Sequence, residues 1–140
     1  MKLYALGYTT GVFDMFHVGH LNILRRSKEL CKKLIVGVST DDLVMQYKHK
    51  LPIMPLEDRM EIIAAIKYVD QVVIQESLDK FKAWEKLRFN AIFHGDDWKG
   101  SELYSQMEAK LKRVNVDIIF LPHTDGISTT ILTEIIRRKV

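Results

Sequence analysis

His17 and His20 stand three residues apart near the start of the chain, in the stretch Gly11-Val12-Phe13-Asp14-Met15-Phe16-His17-Val18-Gly19-His20. On a helix, that spacing puts both imidazoles on one face. Gly19 has no β-carbon, so a bulky ligand can lie against the backbone between the rings. A helix start adds free backbone N–H groups and the positive end of a dipole. The pattern fits a phosphate chain held between two imidazole donors. When a nucleophile attacks a nucleoside triphosphate, charge builds on the phosphate oxygens, and donors already in place stabilise that transition state. No serine or cysteine nucleophile is needed, since one substrate's phosphate can attack the other's α-phosphate. Two other readings use the same residues. One is a metal site from Asp14, His17 and His20, for which no downstream Cys/His cluster supplies further ligands; the other is a helix start with two incidental histidines.

Other residues could serve the same chemistry. Lys48 and Lys50 sit in a proline-containing stretch, residues 47–55, that reads as a loop. They are either a solvated charge pair or, if the loop folds over a crevice, a lid that neutralises a triphosphate. Arg59, near the start of the next helix, is either surface charge or a bidentate fork for a second phosphate. Gly126-Ile127-Ser128-Thr129-Thr130 puts a glycine before a hydroxyl-rich helix start, which suits capping and also triphosphate binding. Asp96 and Asp97, beside Trp98, form a turn or approach a ribose, a base or Mg²⁺.

Elements must bring these stretches together. Residues 3–8, 34–38, 69–74, 91–94 and 116–121 read as strands, and residues 17–30, 42–46, 56–68, 78–87, 102–114 and 130–138 as helices. Such alternation predicts an α/β fold: a Rossmann-like open parallel sheet of about five strands with helices on both faces, in one domain over residues 1–140. Loops that follow parallel strands share one edge of the sheet, which is how distant residues form one site. The 140 residues are 47% hydrophobic, enough for a real core. A net charge of +3 suits a phosphorylated small molecule and is too weak to argue for nucleic acid. The single cysteine, Cys31, forms no intramolecular disulfide and points to a reducing, cytoplasmic setting. No apolar run approaches a membrane span, so membrane insertion is not expected.

Three motifs in order, Gly11–Asp14 with His17–His20, Gly95-Asp96-Asp97-Trp98 and Gly126–Thr130, resemble those of the cytidylyltransferase family. The likeness covers nearly the whole chain and runs closest to the members that act on glycerol 3-phosphate. It implies transfer of a cytidylyl group from CTP to sn-glycerol 3-phosphate, with Mg²⁺, in a homodimer. It gives His17, His20, Lys48 and Lys50 catalytic roles, the lysines matching after a one-residue insertion. It places Val12, Phe13, Asp14, Gly19, Asp97, His123, Thr124, Gly126, Ile127, Ser128 and Thr129 around the nucleotide, and Arg59 and Lys67 on the acceptor phosphate. Val12 replaces a common threonine, and Lys67 and His123 replace common arginines whose bidentate geometry they do not reproduce. Another acceptor, such as ribitol 5-phosphate, phosphoethanolamine or phosphocholine, is therefore an alternative, as are adenylyl transfer and a non-catalytic nucleotide-binding module.

Overall fold

The computed structural model describes residues 2–95 and 102–122. In chain order the elements are β1 (Tyr4–Gly11), α1 (Val18–Leu30), β2 (Cys31–Ser39), α2 (Asp41–Lys48), α3 (Leu56–Ala64), β3 (Gln71–Gln75), α4 (Lys80–Leu87), β4 (Ala91–Gly95), α5 (Glu102–Arg113) and β5 (Asp117–Leu121). The strands form one sheet in the order β3-β2-β1-β4-β5, with every pair parallel. The expected α/β, Rossmann-like architecture is present.

The unbroken apolar run of β2 follows from burial on both faces. Leu34, Val36 and Val38 pack on one face with Leu24 of α1 and Ile63 of α3. Ile35 packs on the other with Tyr8, Ile92 and, from α5, Met107 and Leu111; Phe81 and Trp84 of α4 lie against the same cluster. Helices thus cover both faces. Gly37 is a glycine for a packing reason: a β-carbon there would overlap the hydroxyl of Tyr8, whose ring is buried and stacked on Phe89. The chain leaves β1 toward β2 on one side and returns to it through β4 on the other. The carboxyl ends of β1 and β4 therefore flank the crevice where open sheets take ligands.

Boundaries shift where tertiary contacts decide them. The first strand runs on to Gly11, which pairs with Val38. The helix expected over residues 42–46 spans Asp41–Lys48, because Thr40 Oγ1 accepts from the Leu43 N–H and Asp41 and Asp42 favour the positive helix end. The helix expected to reach residue 68 ends at Ala64, and Ile66 and Val69 turn in to pack on the first core cluster. The expected helix over residues 130–138 and most of the two loops before α5 and after β5 lie outside the described residues. No helix among the described residues is long and apolar enough to cross a membrane.

Candidate active site

The histidines build their own helix start. His17 is the N-cap of α1, with extended backbone, and its Nδ1 accepts from the Gly19 N–H at 3.0 Å. His20 returns the contact: its Nδ1 accepts from the His17 N–H at 3.2 Å. This is a capping box made of two imidazoles in place of the usual hydroxyl and carboxylate. The rings stack, with centroids 3.9 Å apart and planes 20° from parallel. A neutral imidazole whose Nδ1 accepts carries its proton on Nε2. Both rings are held neutral. Burial lowers the pKa of His17, and burial, with repulsion from a protonated His17 and from Lys48 adding to it, holds His20 down to about 3. Phe13 and Phe16 supply much of that cover, their rings lying 5.6 and 5.4 Å from His20. His17 Nε2 is buried and meets no hydrogen-bond acceptor among the described residues. A buried donor in that condition costs free energy until an acceptor arrives.

The loop between β1 and α1 is tightly bent. Phe13 and Met15 both take positive φ, 56° and 50°, a conformation that a non-glycine residue adopts only when its surroundings impose it. Asp14 lies buried between them, and its carboxylate accepts from the N–H groups of Ile53 and Met54 at 2.7 and 2.9 Å. Gly19 is buried in the first turn of α1.

The other expected site residues fall into three groups. Lys48 closes the last turn of α2 and is not in a loop; it is exposed, and its charge reaches His20. Lys50 is exposed two residues further on. Arg59 is expected on the acceptor phosphate. Its side chain is fully buried, and its guanidinium donates to the carbonyls of Met54, Val12 and Ser39 and to the Asp41 carboxylate. Nε, Nη1 and Nη2 thus all meet protein acceptors. Lys67 is the other residue expected on the acceptor phosphate. It lies four residues before β3, whose first residue, Gln71, pairs with Ile35 in the middle of β2. Its ammonium sits 5.3 Å from the Tyr68 ring centroid. Asp97, His123, Thr124, Gly126, Ile127, Ser128 and Thr129 lie outside the described residues.

A buried polar row on the other face of the sheet escaped the sequence reading. Lys80 is 1% exposed and donates to Thr10 Oγ1 at 2.8 Å and Gln75 Oε1 at 2.6 Å, while Gln75 Nε2 donates to Ser39 Oγ. His94 at the end of β4 is buried beside Tyr104 and Phe120, and burial with the Lys80 charge holds it down to about 3. Burial likewise lowers Lys80 to about 7. A lysine on an amphipathic helix reads as surface charge, so only the partners at Thr10 and Gln75, far off in sequence, reveal it.

No group of three His, Cys, Asp or Glu residues that could hold a metal forms among the described residues. Both histidine Nδ1 atoms and both Asp14 oxygens already accept backbone hydrogen bonds, so Asp14, His17 and His20 do not make the alternative metal site. Mg²⁺ prefers several oxygen ligands and keeps waters and substrate phosphates; the described residues offer it no dedicated cage.

A cytidylyltransferase-like family model matches residues 8–135. A glycerol-3-phosphate cytidylyltransferase of Bacillus subtilis is 35% identical over 133 residues, covering 90% of this chain and 92% of that one. An FAD synthase of Pyrococcus horikoshii is 41% identical over 119 residues, covering 81% of this chain and 77% of that one. Among solved structures, a lipopolysaccharide core biosynthesis protein from Thermoplasma volcanium superposes with a TM-score of 0.76 at 28% identity, over 87% of this chain and 99% of that one. With the family match spanning both histidines and all of the sheet but the first half of β1, the chain belongs to the cytidylyltransferase-like family of nucleotidyltransferases.

Proposed function

We propose that this protein transfers a cytidylyl group from CTP to a small phosphorylated alcohol, with sn-glycerol 3-phosphate as the first acceptor. A phosphate oxygen of the acceptor attacks the α-phosphorus of CTP, the bond to the bridging oxygen of the β-phosphate breaks, and pyrophosphate leaves. CTP enters as its magnesium complex. The observation that carries the reading is the stacked pair of neutral imidazoles, with the buried Nε2 of His17 lacking an acceptor. Two Nε2–H donors at a helix start suit the oxygens of a triphosphate, and they stabilise the charge that builds there during transfer. The kinship with glycerol-3-phosphate cytidylyltransferases supports cytidine and glycerol phosphate. The similarity to FAD synthases supports a second reading, adenylyl transfer from ATP to the phosphate of a flavin nucleotide.

The test is pyrophosphate release with CTP or ATP against glycerol 3-phosphate, ribitol 5-phosphate, phosphoethanolamine, phosphocholine and flavin mononucleotide. The expected result is turnover with CTP and glycerol 3-phosphate. Turnover only with ATP and the flavin would replace the first reading by the second, and CTP binding without turnover on any acceptor would favour a non-catalytic module. His20→Ala is expected to lower kcat by about 100-fold or more, the usual cost of losing a preorganised donor. The family resemblance also supports a homodimer, which sedimentation velocity checks.

A further inference from the structure

Arg59 and Asp14 lie far apart in sequence, yet both close on one residue. Asp14 accepts from the Met54 N–H at 2.9 Å, and Arg59 Nε donates to the Met54 carbonyl at 2.9 Å. Asp14 also takes the Ile53 N–H, while Arg59 Nη1 bonds the carbonyls of Val12 and Ser39, at the carboxyl ends of β1 and β2. Nη2 completes the set on Asp41, in the first turn of α2. The segment held this way, residues 49–55, connects α2 to α3 and follows directly on Lys48. Packing contributes little to its hold, since Leu51 and Ile53 are 59% and 54% exposed.

We propose that Asp14 and Arg59 form a clasp that fixes segment 49–55, and with it Lys48 and Lys50, beside the paired histidines, so that Arg59 acts as a positioning residue. Only a guanidinium has donors arranged to reach carbonyls on three chain segments and a carboxylate at once; an ammonium is a point donor with a different reach. Only a carboxylate offers two acceptor oxygens to two adjacent N–H groups. An asparagine amide presents one oxygen and one NH₂, so Asp14→Asn leaves one of those N–H groups facing a donor. The kinetic arm of the test rests on the nucleotidyl transfer proposed above; the structural arm does not.

The experiment is limited trypsin digestion of the intact, ligand-free chain, with cleavage after Lys48 and Lys50 measured against cleavage after Lys32 and Lys33, which are exposed at the start of β2. Asp14→Asn and Asp41→Asn each remove part of the clasp without emptying the core. Cleavage after Lys48 and Lys50 is expected to rise about tenfold or more in Asp14→Asn, with cleavage after Lys32 and Lys33 unchanged, because the segment opens locally. In the same variant kcat is expected to fall more than KM rises, and Arg59→Lys is not expected to restore either measure to wild type. Unchanged cleavage after Lys48 and Lys50 in folded Asp14→Asn, or an equal rise at all four lysines, would overturn the clasp. A selective rise in cleavage in Asp14→Asn, with the wild-type protein transferring no nucleotide to any acceptor, would keep the clasp and overturn the proposed reaction.

Discussion

His17 and His20 each have two duties, one per ring nitrogen. Nδ1 accepts a backbone N–H at the start of α1, and Nε2–H is the donor proposed for the triphosphate. His17→Asn separates these duties: asparagine is a strong N-cap, so the melting temperature should stay within a few degrees while kcat falls about 100-fold. Calorimetry and a pyrophosphate assay on one sample check both halves. Acid stability is also decided at this scale. His20 and His94 have folded pKa values of about 3, whereas an unfolded histidine titrates near 6.5. Between those values the unfolded chain binds protons that the folded chain refuses, so stability is full above about pH 6.5 and is lost as pH falls toward 3, at up to about 1.4 kcal/mol per unit for each residue. His94→Met should flatten that loss, read as a smaller drop in urea midpoint between pH 6.5 and 4.5. The histidine spacing was legible in sequence because its chemistry is local. Its use as a cap was not, since hydroxyl and carboxylate residues are the usual signals for a capping box.

At the level of elements, what was readable depended on how far away the partners lie. Strands and helices follow from short periodicities, and all five strands and the first five helices appear where the pattern puts them, within a few residues at their ends. Arg59 could not be read this way, because its acceptors sit at Val12, Ser39, Asp41 and Met54, in separate stretches. Two substitutions test the element contacts. Thr40→Ala should cost about 1 kcal/mol by removing the cap of α2. Gly37→Ala should cost about 1–3 kcal/mol by forcing a methyl against the buried Tyr8 hydroxyl. Urea denaturation reads both, and a wild-type midpoint for Gly37→Ala would mean that β1 and β2 can part to admit the methyl.

Across the whole molecule, the sheet places β1 at its centre although it is the first strand in the chain. β2 follows soon after, but Thr9 meets Phe93 of β4 across 84 positions of sequence. At synthesis rates of roughly 5–20 residues per second, that edge of β1 waits about 4–17 s for its partner. During that interval the growing chain can carry α1 with both histidines, and β1 paired to β2, while β1 still shows a row of unpaired backbone groups. An open edge of that kind is a template for any passing strand, including one from a neighbouring nascent chain. The yield of folded protein in a cell is therefore tied to how fast residues 91–95 emerge, and slow codons between β3 and β4 should lower it without changing a single amino acid.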